Sequence, residues 1–208
     1  MAQPSIDYYF WVLSDWAYFG GPRLASIGER HGVTINYFPI KMPYVYARTG
    51  GILLSQRSKQ RQDYRLAELR RWQVKLGMPI NEPPKYGTTN EDLASGLIIA
   101  AKRAGQSVEQ ISHDILKAAW VEELDVASPD VLLTLANRSL KNAPRLLEEA
   151  GSPSVQEEFG RYSDDAIAKG VFGSPFYLFE GDIFWGQDRL EFLEEAVVAS
   201  KMRSLGKA

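Results

Sequence analysis

The sequence predicts an α/β protein in which a strand–helix–strand opening and a strand–strand–helix ending share one sheet, with a large all-helical insertion between them. Three observations carry this reading. Residues 6–13, IDYYFWVL, are apolar with almost no polar alternation, the pattern of a strand buried on both faces. From about Pro43 to Gly170 the periodicity is helical, with no convincing strand. Short aromatic runs then return at Phe176–Glu180 and Ile183–Trp185, joined at Gly181-Asp182, a tight hairpin signal.

Each element has a local reason. Ser14-Asp15 offers an N-cap, and Trp16–Arg30 follows with Tyr18, Leu24 and Ile27 at helical spacing before Gly32 stops it. Val33–Pro39 is a β-branched second strand. A strand–helix–strand opening favours a right-handed crossover between parallel neighbours. Within the helical block, Gln56–Leu76 places Leu66, Leu69, Trp72 and Leu76 on one face, and Asn90–Ala104 does the same with Leu93, Leu97 and Ala101. Ser107 and Gln110 read as a capping box ahead of Ile111 and Ile115. Ser128-Pro129 and Ser152-Pro153 pair an N-cap with proline at the first helical position, and Gly151 and Gly170 read as helix stops. Asp188 is placed to cap a last helix through Leu190, Leu193 and Val197. No linker is long enough to separate independent domains. Residues 1–42 and 170–208 therefore form one unit, residues near 155–169 its linking helix, and 43–154 the insertion.

Composition narrows the chemistry. The 208 residues are long enough to bury roughly 70% of the unfolded surface. There is no cysteine, which excludes disulfides, cysteine nucleophiles and cysteine-ligated metals. Only His31 and His113 are present, so histidine-rich metal sites are not expected, and mid-helix His113 is assigned no role. A net charge of −2 gives no general reason to expect nucleic-acid binding. Met1–Ser5 lacks the pattern of a secretory signal, and nothing approaches the roughly 20 consecutive apolar residues of a membrane span. The expectation is a soluble cytoplasmic protein.

Four places can hold chemistry. Ser14 stands between the first strand and first helix, where ligands of open α/β sheets bind and a helix N-terminus favours an anion. A simple N-cap serine is the structural alternative. Ser174-Pro175, in GVFGSPF, makes a constrained turn entering a strand. A cis bond there would turn the Ser174 backbone outward toward an extended ligand, although trans is the commoner state of such bonds. Asp188-Arg189 supplies an acceptor for an ammonium and a fork for a carboxylate, or else a capped helix start. Arg48–Lys75 carries a local excess of six positive charges, suited to anionic ligands or to a solvated helix face. The adjacent acidic pairs Glu122-Glu123 and Asp164-Asp165 do not share a helix face and are poor acid/base pairs.

These junctions together resemble the thioredoxin-like fold in its bacterial disulfide-oxidoreductase form, with the helical insertion. That form carries Cys-x-x-Cys where this chain has Ser14-Asp15-Trp16-Ala17, so dithiol redox chemistry is excluded. Among relatives without the cysteines, the chain resembles the 2-hydroxychromene-2-carboxylate isomerases, which are akin to kappa-class glutathione transferases. The segments that carry the resemblance are DYYFWVLSDWAYFG at 7–20, YRLAELRRW at 64–72 and GVFGSPFYLFEGDIFWGQDRLEFL at 170–193.

The resemblance implies glutathione as cofactor, an anionic aromatic carboxylate as substrate, and a homodimer, with no nucleic acid or membrane partner. It places the glutathione sulfur on Ser14, the cysteinyl backbone on Ser174 before Pro175, the γ-glutamyl end on Asp188 and Arg189, and Trp185 beside the site. The family's lysine falls on Arg61. Three departures stand out. Asp15 replaces the frequent proline and would oppose a nearby thiolate unless paired, Gly51 replaces a frequent asparagine, and Arg61 keeps charge without the lysine's geometry. The implied reaction is isomerisation by reversible thiolate addition, with Trp16, Tyr44, Tyr86, Trp185 and the basic segment holding the substrate. A kappa-like transferase and a non-catalytic peptide-binding module are the alternatives.

Overall fold

The computed structural model describes residues 4–87 and 89–205; the outermost residues of the expected first unit, 1–3 and 206–208, lie outside them. The chain opens with β1 (Ser5–Phe10), α1 (Asp15–His31) and β2 (Thr34–Pro39). Seven helices follow: α2 (Met42–Thr49), α3 (Lys59–Leu76), α4 (Asp92–Arg103), α5 (Glu109–Trp120), α6 (Pro129–Ser139), α7 (Ala143–Ala150) and α8 (Pro153–Ala168). The chain closes with β3 (Phe176–Phe179), β4 (Asp182–Trp185) and α9 (Leu190–Leu205). The sheet order is β2-β1-β3-β4. β1 runs parallel to β2, Ser5 opposite Thr34, and antiparallel to β3, Tyr8 opposite Tyr177.

The alternation of β1 side chains sends Ile6, Tyr8 and Phe10 to one face and Tyr9 to the other, and all four are buried. On the first face Tyr8 stacks on Phe10 and Tyr177 and meets Tyr37 edge-on. That cluster continues without interruption into Leu97, Ile98, Ile111, Ile115 and Leu135 of the helical insertion. On the opposite face Tyr9, Ile40, Met42, Val45, Ala166 and Phe176 pack between the sheet, α2 and α8. Covering both faces explains why β1 reads as a nearly continuous apolar run. No helix among the described residues is long and apolar enough to cross a membrane.

Several local expectations shift. β1 ends at Phe10 rather than Leu13, because Trp11–Ser14 form a turn in which the Ser14 N–H donates to the Trp11 carbonyl (3.0 Å). The expected capping box does not form. α5 begins at Glu109 after Val108, and Gln110 donates instead to Asp114 (2.8 Å). The hairpin turns at Glu180-Gly181, both at positive φ (50° and 93°), one residue earlier than read. Asp188 sits inside a 3₁₀ turn, Gln187–Arg189, that leads into α9. Ser152 does cap α8, accepting from the Val155 N–H (3.4 Å).

Gly96 is where the insertion closes on itself. A β-carbon there would lie 2.3 Å from the Ala150 carbonyl oxygen and 2.8 Å from the Gln156 amide. Gly96→Ala must push α4 away from the end of α7, since backbone cannot yield as a side-chain tip does. The expected cost is about 1–3 kcal/mol, read as a lower urea midpoint at unchanged slope.

Candidate active site at the start of the first helix

The site begins with two hydrogen bonds between the first β–α turn and the turn before β3. The Trp11 N–H donates to Ser174 Oγ (2.8 Å). Ser14 Oγ donates to the Ser174 carbonyl (3.3 Å) and accepts from the Ala17 N–H (3.2 Å). Ser14 is thus both the N-cap of α1 and a tie to the Ser174-Pro175 turn, and it is 4% exposed. The Ser174-Pro175 peptide bond is cis. The Ser174 carbonyl already meets Ser14, so it is less open to an extended ligand than expected. The Pro175 carbonyl accepts from the Gly186 N–H (3.0 Å), which brings the segment after β4 alongside. Arg23 of α1 then clamps Gln187 through its carbonyl (3.0 Å) and side chain (2.8 Å).

These turns open on a cavity of about 890 Å³. Ser14, Ser174, Trp185, Asp188 and Arg189 all line it. Pro175 does not line it, and acts by directing Ser174 and holding Gly186. Arg61 does not reach it either. That side chain is exposed on α3, and the guanidiniums on the wall, besides Arg189, are Arg57 and Arg65. Trp16 lines the cavity as expected, whereas Tyr44 and Tyr86 do not. Tyr44 instead donates to Asp164 (2.6 Å) outside it, under the Arg48 guanidinium. The residue reading missed Trp11, Tyr46, Trp72, Trp120 and the partly buried Glu91, all on the wall.

Asp15 is paired. Its carboxylate meets Arg65, which also contacts Glu82 at 3.3 Å, and its other oxygen accepts from the Trp16 N–H (2.8 Å). Burial raises the Asp15 carboxyl above its ordinary range, and the Arg65 guanidinium opposes that rise. Glu82 is raised for the same reason and opposed in the same way. Glu91, on the cavity wall, is likewise raised by burial. Trp120 completes the cluster. Its indole N–H donates to the Leu13 carbonyl (3.2 Å), and Arg65 lies 5.8 Å from its ring centre. Among the described residues Arg57 makes no ion pair; it donates to the Ile52 carbonyl (2.9 Å) and the Tyr46 hydroxyl (3.5 Å), and its charge also acts on Asp15.

Two glycines shape the mouth. A β-carbon on Gly173 would lie 2.2 Å from the Trp185 indole nitrogen, so only glycine lets that ring lie across the Ser174 turn. One on Gly51 would lie 2.0 Å from the Tyr46 ring, so at this departure from the family pattern an aromatic ring covers the backbone. The Asp188 and Arg189 side chains, both about half exposed, face each other at 3.3 Å.

This arrangement can bind a peptide-like anion at a helix start and a planar anionic molecule in an aromatic chamber. A profile of the DSBA-like thioredoxin domain matches residues 5–198, and the chain belongs to that family. More particularly, it is 29% identical over 191 residues to a protein of Sphingobium xenophagum named 2-hydroxychromene-2-carboxylate isomerase, covering 91% of this chain and 96% of that one. A solved structure of a 2-hydroxychromene-2-carboxylate isomerase superposes with a TM-score of 0.80 at 21% identity, covering 98% of both chains. The cytosolic disulfide reductase DsbM of Pseudomonas aeruginosa, solved with GSH, gives a TM-score of 0.69 at 17% identity over 96% of this chain and 99% of that one.

Removing Arg65 strands Asp15 and Glu82. Arg65→Ala is expected to cost about 3–5 kcal/mol at neutral pH, since it leaves a buried carboxylate uncompensated. Arg65 favours the ionised carboxyls, so its stabilisation is present where they are ionised and lost as pH falls and they protonate. Urea unfolding of both proteins at neutral and acid pH checks this, with the difference expected to shrink in acid.

Proposed function

We propose that the chain is a glutathione-dependent cis–trans isomerase of 2-hydroxychromene-2-carboxylate or a related conjugated aromatic carboxylate. The observation that carries the reading is Ser14, whose hydroxyl opens at the N-terminus of α1 onto a large cavity lined by aromatic rings and by Arg57. The relatives' names and the GSH-bound neighbour support it.

The donor set fits the cofactor. Asp188 and Arg189 match the ammonium and carboxylate of an amino-acid end, and the Gly173 backbone leaves room for Trp185 to cover the centre. Bound glutathione supplies a thiol sulfur that adds to a conjugated carbon and later leaves unchanged, so that the intervening double bond is single long enough to rotate. Ser14 Oγ and the helix N-terminus stabilise the negative sulfur. The present Ser14–Ser174 contact, at 3.3 Å, is long, and a charged acceptor competes well for that proton. Arg65 cancels the Asp15 charge that would otherwise oppose the thiolate. Arg57 on the cavity wall is then a cation for the substrate carboxylate, and Trp11, Trp16 and Trp72 offer faces to an aromatic ring. The homodimeric part of the reading rests on the resemblance. Light scattering tests the dimer, and a monomer mass overturns it.

Ser14→Ala should lower kcat/KM about 10- to 100-fold, the range of a lost hydrogen bond to a charged group, and move the pH–rate profile to higher pH as the thiol loses its stabilising donor. Calorimetry should show reduced glutathione binding and weaker binding both of S-methylglutathione and by Ser14→Ala. Full activity in Ser14→Ala would overturn the mechanism. Glutathione recovered intact after many turnovers separates isomerisation from transfer, which would consume it.

A further inference from the structure

A second cavity, of about 320 Å³, lies between α1 and α5 against β1 and β2, and it shares no lining residue with the first. Two buried polar atoms on its lining residues have no hydrogen-bond partner: the hydroxyl of Tyr8 and Nδ1 of His113. Tyr8 is 1% exposed. A buried polar group without a partner costs free energy, and here two residues lining one cavity each carry one. The other polar side chains here are already engaged. Ser112 Oγ donates to the Val108 carbonyl (2.6 Å), and the Gln110 amide donates to Asp114 (2.8 Å).

The two atoms are complementary to a hydroxyl. His113 stacks on Tyr18, and burial lowers its pKa, which favours the neutral ring. With Nδ1 turned inward and lacking an acceptor, the ring proton belongs on Nε2, leaving Nδ1 to accept. The Tyr8 hydroxyl can donate. Pro22, Ala25, Leu116 and the Tyr37 ring supply the apolar part of the wall, and Ser26 on the same wall accepts from the Arg30 guanidinium. The rim carries the exposed carboxylates Glu29 and Glu109, and no Lys or Arg lines the cavity. Its volume is near the small end for ligand sites.

We propose that this cavity is a second binding site, for a small uncharged hydroxylated aromatic compound of phenol type, whose hydroxyl donates to His113 Nδ1 and accepts from Tyr8. Glu29 and Glu109 on the rim disfavour a carboxylate relative to a neutral hydroxyl, although Arg30 stands beside Ser26. The two cavities thus sort aromatic compounds by charge.

The chain has two histidines, so the imidazole C2 protons give two NMR lines, with the Glu194-paired His31 as internal reference. Titration with phenol should shift the His113 line to saturation and leave the His31 line still, whereas benzoate should shift neither. Tyr8→Phe keeps the ring stack and removes only an unpartnered hydroxyl; it should weaken phenol roughly three- to tenfold. Ala25→Leu fills the space and should abolish the shift while leaving both polar atoms in place. An unmoved His113 line at millimolar phenol would mean a space that takes water only. That result, unchanged affinity in Tyr8→Phe, or benzoate binding as well as phenol would each overturn the proposal.

Discussion

The Trp11 amide donates to the Ser174 hydroxyl while the Ser14 hydroxyl donates back to the Ser174 carbonyl. This exchange joins segments 160 residues apart, and the candidate active site is assembled from it. It sets the N-terminus of α1 against the turn before β3. From that turn the Pro175 carbonyl captures Gly186, and Arg23 fixes Gln187 on the far side. Trp120 reaches in from the insertion to hold the Leu13 carbonyl, so the helical block and the sheet meet on the same loop. Held from three directions by groups on rigid elements, the loop gives Ser14 a defined position, which a hydroxyl needs if it is to favour one charge state of a partner.

Electrostatics follow from the same loop. An aspartate in the first turn suits a helix N-terminus but burdens a site meant for an anion. Arg65 resolves the conflict by serving Asp15 and Glu82 together, with Trp120 as a third neighbour. Arg65 is thereby committed to charge balance, whereas Arg57 donates to two neutral oxygens, the Ile52 carbonyl and the Tyr46 hydroxyl. The second cavity has the opposite character. Its polar atoms are neutral and its rim is acidic, although α1 contributes to both walls.

Much of the fold was legible because it rests on local pattern. The apolar run around Tyr8 and Tyr9 announces a strand covered on both faces, and the helical spacing of Leu97 and Ala101 announces a packed helix. Ser152-Pro153 and Gly32 act as written. The misplaced details are those where a competing partner won. Ser107 and Gln110 lost to the bond between Gln110 and Asp114. The hairpin moved to Glu180-Gly181 because the register of Phe179 against Asp182 leaves those two residues in the turn.

For the site, residue identity and order alone give the lack of any cysteine in the chain, the serine at the first strand–helix junction, the proline turn, the Asp188-Arg189 pair and the basic character of residues 48–75. Each is a matter of residue identity or of neighbours along the chain. Only the tertiary structure decided which cations face the cavity, that Asp15 has a partner, and that Tyr8 and His113 share a chamber. Arg61 and Arg65 are four residues apart on one helix, yet one is in solvent and the other pairs with a residue fifty positions away. The face of α3 that carries Leu69 into the core makes that choice, and it is set by contacts between segments far apart in the chain.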